Sequence, residues 1–143
     1  MKKKIDCPCR IRLYKENLVR NIFEQTYGVT FKKERPTFLK NPHTNRNLEL
    51  DGYNKELKLA FEYQGEFHYL SYKNKHPRSP RFAEQKIEKT KIRDNIKRKL
   101  CSDNGIFLVT IPYWVANILD YIKFIIENKL DYEAQMDATV NFQ

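Results

Sequence analysis

Glu49, Asp51 and Glu62 stand in a stretch whose alternation brings three carboxylates onto one surface. Leu48-Glu49-Leu50-Asp51-Gly52-Tyr53 and Lys58-Leu59-Ala60-Phe61-Glu62-Tyr63 both alternate in the strand period, and Asn54-Lys55-Glu56-Leu57 lies between them as a turn, so the segment reads as a β-hairpin. Pairing about that turn sets Tyr53 opposite Lys58, Asp51 opposite Ala60 and Glu49 opposite Glu62. Parity then puts Glu49, Asp51, Ala60, Glu62 and Gln64 on one face, and Leu48, Leu50, Leu57, Leu59, Phe61 and Tyr63 on the other. Asp51 and Glu62 become diagonal neighbours with Cβ atoms about 7 Å apart, within reach of a shared cation. Like charges placed this way repel, so the face is either open to water or built to hold a metal ion.

The surrounding elements must position that face. Lys15 to Tyr27 predicts a helix, with Leu18, Val19, Ile22 and Phe23 at three-to-four spacing and Gly28 as a stop. Val29-Thr30-Phe31 with Lys32 and Lys33 predicts a short strand before Pro36, and Pro36 to Asn47 a loop. Phe82 to Asp103 predicts a second helix with Ile92, Ile96 and Leu100 in register, capped by Asn104-Gly105. Ile106 to Ile111 is a short apolar run stopped by Pro112, as in a buried strand. Val115 to Asn128 is a last helix whose stripe is Val115, Ile118, Leu119, Ile122, Ile125 and Ile126; Trp114 joins the core, and Asp131 to Gln143 shows no period. The order is helix, strand, strand, strand, helix, strand, with a helix appended. A polar helix between a strand pair and a later apolar strand predicts a crossover into a mixed α/β sheet covered on both faces.

The chain has 143 residues, 41% of them hydrophobic and 13% aromatic, enough for the core of one globular domain and against wholesale disorder. The start, Met1-Lys2-Lys3-Lys4 followed by Ile5-Asp6-Cys7-Pro8, is not a signal core, and no apolar run is long enough to span a bilayer. A soluble intracellular protein, in cytoplasm or nucleus and without a membrane partner, is expected. Three cysteines do not make a disulfide framework.

Lys and Arg total 27 against 18 Asp and Glu, a formal charge of +9 that fits a polyanionic partner without separating enzyme from binder. Its distribution is more informative. From Phe67 to Ala83 there is no acidic residue, while Lys73, Lys75, Arg78 and Arg81 alternate with Tyr69, Tyr72, Pro77 and Pro80. Lys86 to Lys99 continues the basic run with Arg93 and Lys97, offset by Glu88 and Asp94. Both runs read either as solvated faces or as phosphate contacts.

The block from Leu48 to Tyr53, then Leu57 to Gly65 and His68, resembles the core of the restriction-endonuclease-like PD-(D/E)XK nucleases, in particular their small single-domain branch similar to very-short-patch-repair endonucleases and found in large DNA viruses and phages. Gln85, Arg93, Asp94, Lys97, Cys101, Gly105 and Ile111-Pro112-Tyr113 continue the resemblance, which runs from about Leu13 to Tyr113. It implies a three-layer core with the same element order, a basic N-terminal segment over residues 1–12, a nuclease domain over 13–129 and a C-terminal tail over 130–143. It further implies a Mg²⁺-dependent endodeoxyribonuclease, with Mn²⁺ able to substitute, that acts on double-stranded DNA to leave 5′-phosphate and 3′-hydroxyl ends, as a monomer or a homodimer.

Carried over residue by residue, the resemblance makes Asp51, Glu62 and the Tyr63 backbone carbonyl the metal ligands, an all-oxygen set suited to a hard cation. The family's Lys is Gln64 here; its amide can orient the attacking water by hydrogen bonds but brings no positive charge. His68 is either a group that helps protonate the leaving group or a plain loop histidine. The family's first helix contributes a Glu, for which Glu16 fits best and Glu24 is the alternative. Lys73, Lys75, Arg78, Arg81, Arg93 and Lys97 are the expected DNA contacts. Cys7-Pro8-Cys9 is one residue tighter than the zinc-binding pair of relatives and lacks partners for a four-ligand site, so no zinc is expected. A DNA-binding module that kept the fold without the chemistry, and a nuclease selective for junctions or mismatches, are the competing readings.

Overall fold

Val19 and Phe23 on the first helix and Phe31 just after it pack their rings and methyls onto Phe61 of the sheet, and the fold builds outward from that contact. The computed structural model describes residues 8–65 and 80–143. Among the expected site residues, His68, Lys73, Lys75 and Arg78 lie outside the described residues.

Helix α1 runs from Pro8 to Tyr27, seven residues longer at its start than the apolar spacing predicts. Pro8 lacks only an N–H that a first helical turn leaves unbonded in any case. Ile11, Leu13 and Tyr14 are all more than half exposed, so the early turns carry no buried stripe for a sequence reading to detect. Gly28 ends the helix at φ +67°, donating its N–H to the Glu24 carbonyl at 2.8 Å.

Strand β1 is Lys32–Glu34 and excludes the expected Val29-Thr30-Phe31. The backbone of Phe31 is engaged elsewhere: its N–H donates to Glu24 Oε2 at 3.0 Å and its carbonyl accepts from Arg20 Nε at 2.9 Å. From Pro36 to Asn47 there is a loop, as expected, pinned by one bridge between Lys40 and Asn47 and by the buried Leu39.

Strands β2 (Leu50–Asn54) and β3 (Leu59–Gln64) form the expected hairpin, but its turn is Lys55 to Lys58. Asn54 Oδ1 accepts from the Leu57 N–H at 2.9 Å, and Lys58 takes a left-handed conformation at φ +51°. Sliding the turn by one residue changes the register by two, so Tyr53 pairs with Ala60 and Gly52 with Phe61, in place of Tyr53 with Lys58 and Asp51 with Ala60. A shift of two leaves every side chain on its predicted face. The side of Gly52 where a Cβ would sit is filled by the Phe61 ring, 2.0 Å from that position.

Helix α2 (Pro80–Asp103) crosses over to strand β4 (Phe107–Pro112), which lies parallel to β3; the sheet order is β1-β2-β3-β4 and the other pairings are antiparallel. Helix α3 (Ile118–Glu127) starts later than the predicted Val115, and the Ala116 and Asn117 N–H groups ahead of it donate to the Phe142 carbonyl. Ile118, Tyr121, Ile122 and Ile125 form its buried face, while Leu119, expected in the stripe, is exposed. Ile92 of α2 is exposed likewise, and Cys101 fills the inner position.

The C-terminal residues left without structure by their lack of period form α4 (Tyr132–Ala138) and a 3-10 turn, Thr139–Phe142. Gln135 of α4 is 1% exposed and grips β4: Oε1 accepts from the Thr110 N–H at 2.9 Å, while Nε2 donates to the Leu108 and Leu130 carbonyls at 3.0 and 2.9 Å. The result is a mixed four-stranded α/β sheet with two cores. One lies between the sheet and α1 with α3; the other holds Leu39, Leu48, Leu50, Tyr53, Ala60, Cys101 and Ile106 beneath α2. Among the described residues, no helix is long and apolar enough to cross a membrane.

Candidate functional site

Backbone pairing between β2 and β3 runs from Asn54–Leu59 to Gly52–Phe61, and beyond it carboxylates take over the backbone donors. The Asp51 N–H donates to Glu62 Oε1 at 3.2 Å and the Tyr63 N–H donates to Asp51 Oδ2 at 2.9 Å. On its other side β2 is bulged, the four residues from Leu50 to Tyr53 spanning three from Lys32 to Glu34 of β1. Arg20 of α1 steadies this irregular stretch by donating from Nη2 to the Asp51 carbonyl and from Nε to the Phe31 carbonyl, with its guanidinium over the Phe61 ring.

Asp51 and Glu62 are 4% and 7% exposed. Burial first, then the nearby Glu16 carboxylate, raises the Asp51 carboxyl above its usual range, although the Tyr63 N–H, Lys97 and Arg12 oppose the rise. Burial and the Asp51 charge likewise push Glu62 up, partly offset by Lys97. The pair is short of positive charge. Lys97 of α2 supplies one compensating charge, its Nζ 3.3 Å from each Glu62 oxygen.

Glu16 is the helix carboxylate that stands near the pair. It is buried, ion-paired to Lys33 at 3.2 Å and to Arg20 at 3.4 Å. Glu24, the alternative, uses its carboxylate on the Phe31 backbone. Gln64 is buried at the end of β3, with its Nε2 3.4 Å from Asp94 Oδ2 of α2. Glu49, third of the predicted carboxylates, is more open and is paired to Arg35 at 3.3 Å and Lys33 at 3.8 Å.

A cleft of about 470 Å³ opens between the hairpin and α2. Asp51, Glu62, Asp94 and Lys97 line it together with Glu49, and Arg12, Arg35, Lys86 and Arg93 add four further basic side chains. Of the expected DNA contacts, Arg93 and Lys97 line the cleft; Arg81 is in the first turn of α2. Lys86 enters the sequence reading only as part of the basic run, and Arg12, Arg35 and Arg20 are absent from it. The (i, i+4) spacing of Glu16 and Arg20 was the only local sign of the last, and its main-chain contacts span 11 and 31 residues.

Among the described residues no three His, Cys, Asp or Glu side chains cluster closely enough to hold a metal ion by themselves. Two buried carboxylates beside the Tyr63 main chain form an all-oxygen donor set. Such a set suits Mg²⁺, which commonly takes only one or two protein carboxylates and completes its shell with water and phosphate.

The chain is 38% identical to "Uncharacterized protein 307L" of Invertebrate iridescent virus 6, over 75% of its own length and 59% of that protein's. It is 38% identical to "Uncharacterized protein 033L" of Invertebrate iridescent virus 3, over 67% of its length and 47% of that protein's. It is 41% identical to "Uncharacterized protein 094L" of Frog virus 3 (isolate Goorha), over 67% and 59%. The chain therefore spans about half to three-fifths of these relatives. No known family profile and no solved structure matches it.

Proposed function

We propose that the chain is a Mg²⁺-dependent DNA endonuclease with a restriction-endonuclease-like core, hydrolysing phosphodiester bonds to 5′-phosphate and 3′-hydroxyl ends. The observation that carries this reading is the buried Asp51–Glu62 pair on splayed strands, facing a cleft with basic side chains around it. Carboxylates repel phosphates unless a cation intervenes, so an acidic floor inside a basic surround favours metal-assisted chemistry over simple DNA binding. The order helix, three strands, helix, strand, with β3 and β4 parallel, supports the fold assignment.

Asp51, Glu62 and the Tyr63 carbonyl are the groups that would hold Mg²⁺. Bound there, the cation supplies charge neutralisation at the phosphoryl oxygens and acidifies water. The Gln64 amide orients the attacking water, and His68 is the candidate proton donor to the leaving oxygen. Glu16, tied to Arg20 and Lys33, sets the field felt by Asp51. Arg12, Arg35, Lys86 and Arg93 bind phosphates on either side of the reacting one.

Supercoiled plasmid incubated with the protein in Mg²⁺ or Mn²⁺ is expected to be nicked or linearised, and chelator to stop the reaction. Asp51→Asn should lower the rate at least about a hundredfold, since the loss of several kcal/mol of metal assistance is tenfold for each 1.4 kcal/mol. A wild-type protein that binds DNA yet cuts no duplex, mismatched or branched substrate in either metal would instead be a DNA-binding module.

A further inference from the structure

Lys97 is placed to do more than neutralise a neighbour. Of the four oxygens of the carboxylate pair, Asp51 Oδ2 accepts from the Tyr63 N–H and Glu62 Oε1 accepts from the Asp51 N–H. The Lys97 ammonium lies 3.3 Å from both Glu62 oxygens, so it covers Glu62 Oε2 as well as sharing Oε1. A carboxylate offers about four lone-pair sites, so a cation reaches Glu62 only beside the Lys97 ammonium, where the two like charges repel at close range. The Lys97 side chain is 16% exposed and lines the same cleft as Lys86, Thr90 and Arg93. Those positions are four, three and four residues apart, one face of α2, with Lys97 at the end nearest the carboxylates.

We infer that Lys97 is an exchangeable internal cation: a divalent metal ion entering the site displaces its ammonium from Glu62 along the cleft, where it becomes a phosphate contact. The inference rests on the proposed metal site and assigns the coupling between metal entry and phosphate binding to one side chain. A lysine suits this role, being a compact point charge on a flexible stem. An arginine would grip the carboxylate through a planar two-pronged fork and leave it less readily.

The test uses the full chain without DNA, titrated with Mn²⁺ by calorimetry at constant pH. Lys97→Met is expected to bind Mn²⁺ about tenfold more tightly than wild type, because the competing charge is gone, and Lys97→Arg more weakly. Equal or weaker binding by a folded Lys97→Met overturns the inference while the metal site stands. A folded wild-type protein that takes up no Mn²⁺, or uptake that Asp51→Asn does not diminish, overturns the metal site and the inference with it. Wild-type protein gives an independent reading through the ¹⁵N signal of the Lys97 ammonium. Saturation with Mg²⁺ should shift the signal and speed its exchange with water. An unchanged signal at saturation overturns the displacement even if both variants fail to fold.

Discussion

Two carboxylates buried side by side must hold a proton, share a cation or strain the fold, and that choice governs how the protein responds to pH. Asp51 and Glu62 both titrate above the usual carboxylate range, mainly through burial and then through neighbouring negative charge, Glu16 for Asp51 and Asp51 for Glu62. The unfolded chain releases these protons near pH 4, before the folded chain does, so the folded state binds more protons above that point. The pair's contribution is thus fully present below about pH 4 and is lost as pH rises through its raised folded values. In chelator, thermal denaturation should show stability falling as pH rises from 5 towards 8, because the folded state holds protons over this range that the unfolded chain has already released. Glu62→Gln should flatten that slope, and Mg²⁺ should oppose it. The carboxylates were legible in the sequence because parity alone assigns a strand residue to a face, and parity survived the two-residue register change. Arg20 was not legible, because its acceptors at Phe31 and Asp51 come together only after α1 has docked.

The hairpin positions the site by failing to pair regularly. Gly52 is the last β2 residue in the ladder with β3, and Phe61 lies across the side a Cβ would occupy, so the two strands approach closely there and splay immediately afterwards at Asp51. Gly52→Ala drives a methyl into the ring, and the hairpin must open or Phe61 must leave its slot among Phe23 and Phe31. Such overpacking should destabilise the protein by about 3 kcal/mol in a urea titration. Phe61→Leu in the same chain should recover part of the loss if the clash is the cause. Strand pattern revealed this element but not its turn, since Asn54 capping Leu57 and Lys58 in the left-handed region are choices of backbone geometry that alternation does not encode. The C-terminal helix escaped notice for a related reason. What it buries most deeply is a glutamine, so no apolar stripe announces it.

Across the whole molecule, the +9 charge divides into an acidic floor and a basic surround. On the proposed reading, Arg12, Arg35, Lys86 and Arg93 meet phosphates, and their effect belongs to affinity more than to chemistry. Duplex binding measured in Ca²⁺ over a range of salt concentrations should weaken as salt rises. Lys86→Ala and Arg93→Ala should each reduce the slope of log affinity against log salt by about 1. Asp51→Asn, which removes a negative charge from the floor, should leave that slope nearly unchanged while abolishing cleavage. The Gln135 grip on β4 also limits how copies of the chain can assemble. Its amide takes the place of a neighbouring strand at Leu108 and Thr110, offering an acceptor and a donor where another backbone would. The sheet is thereby denied a fifth strand along β4, which blocks edge-to-edge polymerisation there. A two-copy form that cuts both DNA strands would have to be joined through some other surface.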